Sequence, residues 1–153
     1  MAVEYTWYGD TDIDTAALRY FVSSLVDGAQ QPDGSVLRDG LSISARRVVE
    51  DEVNPDAVLF GFDQRFRATF RFANLADAAT TEHNTALMVH VLIGFAQRYG
   101  GSGVLLFNGE EAVLQYGADG VVFASDWEDW ADNVEVAPLL EQFASRVLPQ
   151  PLL

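Results

Sequence analysis

The stretch VLLFNGEEAVLQYGADGVVFA, residues 104–124, decides the architecture. Three short apolar runs, Val104–Phe107, Ala112–Tyr116 and Val121–Ala124, are separated by Asn108-Gly109 and Asp119-Gly120. Both dipeptides are favoured where two successive residues must adopt positive φ, the requirement of a type I′ hairpin turn. Strands joined by such tight turns run antiparallel, because a parallel connection needs a crossover of about a dozen residues or more. The stretch therefore predicts a three-strand antiparallel meander.

Upstream of it, Met88, Val91, Leu92, Phe95 and Tyr99 recur at helical spacing, which predicts a helix from a Thr80, Thr81 or Asn84 cap to the stop at Gly100 and Gly101. Before that, after an Asn54-Pro55-Asp56 turn, Val58, Phe60, Phe62, Phe66, Ala68, Phe70 and Phe72 share one parity of a long strand, with Gln64 as the one polar member. Asp63, Arg65, Arg67, Thr69 and Arg71 take the other parity, so one face packs on the core and the other carries guanidinium groups. At the start, Val3, Tyr5 and Trp7 alternate with Glu4, Thr6 and Tyr8 as in a half-buried strand. A helix follows, capped by Asp12 or Asp14, striped by Leu18, Phe21, Val22 and Leu25, and stopped near Gly28. Pro32-Asp33-Gly34 is a turn; Leu41, Ile43 and Ala45 open another strand, whose phase is lost at Arg46–Val49 as at a bulge.

Downstream, a loop containing Asp126-Trp127-Glu128-Asp129-Trp130 leads to an amphipathic helix from about Ala137 to Val147, ended by Pro149 and Pro151. The expected fold is a single α+β domain over residues 1–153. It has an antiparallel-rich sheet of about six strands, with two main helices and a short C-terminal helix on one face.

Composition narrows the chemistry. The chain has no cysteine, which removes disulfides, thiolate metal sites and thiol nucleophiles. Its formal net charge is −14, with nine arginines and no lysine. That balance opposes binding to nucleic acid or to an anionic membrane and favours encounter with a basic partner. The first residues lack a basic segment followed by an apolar one, and no run reaches the length of a membrane span, so the expected location is cytoplasmic.

Motifs that carry catalysis are not recognised. Gly100-Gly101-Ser102-Gly103 follows a helix and precedes a strand, the reverse of a phosphate-binding loop. His83 and His90 stand seven residues apart on the helix, about 10 Å along its axis, too far to share a metal ion. There is no Gly-x-Ser-x-Gly elbow. No catalytic residue, metal ligand or cofactor is therefore assigned, although a carboxylate pair or Glu82-His83 in a pocket would support a small enzyme.

One asymmetry is informative. Between Tyr99 and Ser145 the chain carries nine acidic residues and no arginine. Glu110 and Glu111 fall at a hairpin tip, and Asp126, Glu128, Asp129 and Asp132 just beyond the last meander strand. Trp127 and Trp130 lie among them. Tryptophan is enriched among residues that dominate interface energies, and surrounding charge steers a partner of opposite sign. Glu110, Glu111, Asp126, Trp127, Glu128, Asp129, Trp130 and Asp132 are the candidate partner-binding residues. The competing reading is that the indoles close the end of the core.

Several phrases resemble the Sit-type immunity proteins: Phe60-Gly61-Phe62 leading to Phe66-Arg67-Ala68-Thr69-Phe70-Arg71-Phe72, then His83-Asn84-Thr85-Ala86-Leu87-Met88, then Gly103 to Glu110. Trp127-Glu128-Asp129-Trp130 and the closing Leu148-Pro149-Gln150-Pro151-Leu152-Leu153 belong to the same resemblance. It implies a protein that neutralises a cognate polymorphic toxin delivered between bacterial cells. It brings no toxin-contacting residues with it. The expected function is binding of a basic toxin through the acidic, tryptophan-bearing segment. The alternatives are a small carboxylate- or histidine-dependent enzyme, or a subunit of a constitutive assembly.

Overall fold

The computed structural model describes residues 3–48 and 61–150. Its elements, in chain order, are β1 (Val3–Gly9), α1 (Thr15–Val26), β2 (Ala29–Gln30), β3 (Val36–Arg38), β4 (Leu41–Arg47), β5 (Phe66–Phe72), α2 (Ala78–Tyr99), β6 (Gly103–Phe107), β7 (Glu111–Gly117), β8 (Gly120–Ala124), α3 (Glu128–Asp132), α4 (Ala137–Leu140) and β9 (Ala144–Arg146). The strands form one mixed sheet in the order β2-β3-β4-β5-β1-β6-β7-β8-β9, larger than the expected six. Every pairing is antiparallel except that of β8 with β9.

The α+β expectation holds, and the additional strands have identifiable causes. The Pro32-Asp33-Gly34 turn closes a hairpin between β2 and β3, each too short and too polar to show a period of two. The last helix is also shorter than its apolar pattern predicts. It ends at Leu140, and Ala144–Arg146 instead lie along β8, covering backbone groups that would otherwise form an open edge. Phe143 turns onto Phe123, with ring centroids 6.2 Å apart, while Leu148 crosses to the other side of the sheet. The long strand pattern around Phe66 is realised only from Phe66 onward; Val58, Phe60, the Asn54–Asp56 turn and the far end of the Arg46–Val49 irregularity lie outside the described residues.

Both long helices begin on an aspartate. Asp14 accepts the Ala17 N–H at 2.7 Å, and Asp77 accepts the Thr80 N–H at 2.7 Å, three residues before the earliest cap expected from sequence. Such carboxylates satisfy one of the N–H groups that a first turn leaves open, and favour the positive end of the helix dipole. α2 stops at Gly100 as predicted, whereas α1 stops on Asp27, in the left-handed region at φ 53°, one residue before Gly28. In the first meander turn Asn108 and Gly109 both have positive φ. In the second only Gly120 does, so Ala118 and Asp119 make the turn and the glycine follows it.

The helices cover one face of the sheet. Trp7, Phe66 and Phe95 are fully buried there, with Phe66 and Phe95 each edge-on to Trp7 at 4.8 and 5.0 Å. The Trp7 indole donates to the Tyr116 hydroxyl at 3.0 Å. Two glycines admit these rings: Gly9 and Gly103 face each other across β1 and β6, with the Phe66 ring over the first and the Tyr116 ring over the second. The opposite face is divided. Over β6 to β8 it is apolar, and Tyr8, Val104, Leu106, Ala112, Val122 and Ala124 pack under Phe62 and Leu148. Over β4 and β5 it presents Ser42, Ser44, Arg46, Arg67, Thr69 and Arg71, as the strand parity predicts.

Candidate functional site: an acidic cleft at one end of the sheet

The acidic segment is held in place from inside. Trp130 is 1% exposed; its indole donates to the Val113 carbonyl at 2.7 Å and its ring stands edge-on to Phe123 at 5.7 Å. The expectation that Trp130 offers its indole to a partner is corrected: it is the core anchor of α3, for the sequence pattern of a surface helix does not reveal which aromatic faces inward. Trp127 is half-buried, with its ring 4.7 Å from that of Phe107.

Asn133 supplies the second attachment. Its amide nitrogen donates to the Glu82 carbonyl of α2 at 2.9 Å, and its oxygen accepts the N–H groups of Glu135 and Val136. Glu135 then meets His83 Nδ1 at 3.0 Å. His83 is thus engaged with the acidic segment, not with its neighbour Glu82.

These attachments gather part of the predicted site. Glu111 is the cross-strand partner of Phe107, and Phe107 touches Trp127, so the β6–β7 tip bearing Glu110 and Glu111 adjoins the start of α3. Asp126, Glu128, Asp129 and Asp132 are all exposed. Asp119 is not with them, because β7 carries the chain to the opposite end of the sheet before that turn is reached.

Between the neighbouring ends of β1, β5 and β6, α3 and the start of α2 lies a cleft of about 430 Å³. Tyr5, Phe72 and Phe107 form its aromatic wall, and Glu82, Asp129 and Asp132 bring carboxylates to it. No arginine lines it, and none of these three acids joins an ion pair among the described residues. Tyr5 is 4% exposed, its ring edge-on to Phe72 at 5.7 Å and to Phe107 at 5.1 Å. Burial above all, and then the Asp129 carboxylate, raises the pKa of the Tyr5 phenol, while the neighbouring Trp127 indole acts in the opposite sense. The Trp127 N–H is sealed from solvent close to that hydroxyl but outside good hydrogen-bonding geometry.

Two apolar side chains that adjoin the cleft-lining residues in the chain are exposed. Leu75, between the lining residues Asn74 and Ala76, is 99% exposed, and Val134, next to the lining residue Asn133, is 75% exposed. They are the two most exposed large apolar side chains among the described residues. The sequence offers neither these two nor Tyr5 as site residues, since each sits in a segment remote from the acidic run, and it brings in Glu82 only beside His83 as an enzyme-like pair. Leu75 alone carried a signal, an isolated leucine between a strand and a helix cap.

Among the described residues no cluster of histidine and carboxylate groups is arranged to hold a metal ion, and no helix is long and apolar enough to cross a membrane. A family model described as SitI3-like matches residues 3–134, most of the chain and every residue that lines the cleft. The chain belongs to the SitI3-like family. No curated protein and no solved structure matches it. Membership of the SitI3-like family suggests an immunity protein and, with it, a protein partner.

Proposed function

We propose that this SitI3-like protein binds and neutralises a cognate bacterial toxin, and that the toxin surface it covers is basic. The observation that carries the reading is the concentration, at one end of the sheet, of carboxylates that join no ion pair among the described residues. Glu110, Glu111, Asp126, Glu128, Asp129 and Asp132 surround the half-buried Trp127, with no arginine in the chain between Tyr99 and Ser145. A single-sign surface of this kind raises the encounter rate with a positive partner, and a toxin that acts on nucleic acid has such a surface of necessity. Inhibition is then by coverage: the acidic end occupies the surface that the toxin uses to hold its own target.

In this reading Trp130 acts from the core, fixing α3 so that its carboxylates are presented without first being ordered; preorganisation of this kind lowers the entropy lost on binding. The test is co-expression. A candidate toxin domain, sought among the products of the genes adjacent to that for this protein, is produced in cells with and without it. Rescue of growth together with co-purification of the two proteins supports the proposal; growth arrest in the presence of folded protein refutes it.

A further inference from the structure

We infer that the cleft between α2, α3 and the end of β6 is the seat for one arginine side chain of the partner, with Leu75 and Val134 as apolar contacts beside it. The inference rests on the immunity reading and adds to it a specific anchor.

Three features of the cleft converge on that chemistry. Its volume, about 430 Å³, is within the range of roughly 300–1,000 Å³ typical of ligand sites, so it admits a long side chain. Its wall is aromatic and its rim carries Glu82, Asp129 and Asp132. A guanidinium group is planar, stacks on aromatic faces and forks onto carboxylates, whereas an ammonium group is compact and strongly hydrated. Asp129 and Asp132 are three residues apart on α3 and therefore share a face of that helix, so two carboxylates address one group. The buried N–H of Trp127 and the protonated Tyr5 hydroxyl behind the wall add no positive charge that would compete.

The exposed apolar side chains supply a second, independent argument. Leu75 and Val134 are almost fully in water although large apolar side chains gain by burial, about 1.5–3 kcal/mol for each one fully covered. Each is next in sequence to a residue that lines the acidic cleft, where a partner seated in the cleft would cover it and exclude water. A basic loop carrying one arginine between small or apolar residues fits this arrangement.

The test uses the full chain, labelled with ¹⁵N and titrated at constant ionic strength with N-acetyl-arginine methylamide. The uncharged, isosteric citrulline compound serves as the comparison. Saturable shifts at Tyr5, Glu82, Asp129, Asp132 and the Trp127 indole N–H are expected with the arginine compound and not with citrulline. Asp129→Asn combined with Asp132→Asn is expected to weaken binding about tenfold, and Glu110→Gln combined with Glu111→Gln by less than about twofold. Equal responses to the two compounds, shifts spread over every acidic residue, or unchanged binding by the Asp129→Asn and Asp132→Asn protein would overturn the assignment. The toxin domain separates the two levels. Wild-type affinity for that domain after removal of both α3 aspartates sinks the cleft and leaves the immunity reading standing. Failure of the unaltered protein to bind the domain sinks the immunity reading itself.

Discussion

Trp130 reaches from the acidic helix α3 to the carbonyl of Val113 in β7, a distance of 2.7 Å, and so ties the charged surface to the middle of the meander. One side chain thereby couples the core to the surface proposed to bind. Trp130→Ala is expected to destabilise the fold by about 3–5 kcal/mol, as for other buried large aromatic residues. Trp130→Phe keeps most of the volume but leaves a buried carbonyl unpaired, at a cost of about 1–3 kcal/mol. Urea unfolding measures both, and near-wild-type midpoints would show that α3 is not anchored in this way.

Gly103 is predicted to tolerate no side chain. A Cβ at this position would run into the Tyr116 ring, whose hydroxyl accepts a hydrogen bond from the Trp7 indole. Gly103→Ala should therefore cost about 1–3 kcal/mol through overpacking, and perturb tryptophan fluorescence as the Trp7 hydrogen bond is strained. An unaltered melting temperature and spectrum would contradict this packing.

Alkali provides a third test. The phenols of Tyr5 and Tyr116 are both raised above the ordinary value of 10.0, chiefly by burial. With the folded-state pKa higher than the unfolded one, stability is undiminished below about pH 10 and falls as pH rises from there toward the folded value, by about 1.4 kcal/mol per pH unit for each such group. Tyr5→Phe should make the alkaline decline shallower. A decline of the same slope in the variant, followed by urea midpoints at stepped pH, would show that Tyr5 titrates normally.

Leu75 and Val134 offer a clean separation of binding from stability. Being exposed, they contribute little to the fold, so Leu75→Ser and Val134→Ser should each change stability by less than about 0.5 kcal/mol. If they lie beside the anchor site, affinity for the toxin domain should fall by about tenfold or more for the pair. A loss of stability, or full affinity in the double variant, would count against their assigned position.

Much of this architecture is legible in the chain because local rules and tertiary packing agree. Asn108-Gly109 demands a turn that only a hairpin uses, and the Phe66–Phe72 parity matches its burial residue by residue. The disagreements arise where local signals are silent about distant groups. Ala144–Arg146 read as the tail of a helix because the competing attraction, the open edge of β8, is not encoded nearby. Trp127 and Trp130 are equivalent by composition, and only the position of the Val113 carbonyl distinguishes them. The acidic run is visible in the sequence, but the cleft is not, since Tyr5, Asn74 and Glu82 come from β1, the loop after β5 and the start of α2.

The central claim is that the acidic end of the sheet attracts and holds a positively charged protein. Its most direct test is the association rate between this protein and the toxin domain, measured by stopped flow across a series of sodium chloride concentrations. The wild type is compared with a protein carrying Glu110→Gln, Glu111→Gln and Glu128→Gln. The account predicts a rate that falls about tenfold or more as salt is raised, a slower rate for the variant at low salt, and convergence of the two at high salt. A rate indifferent to both salt and the three substitutions would contradict it.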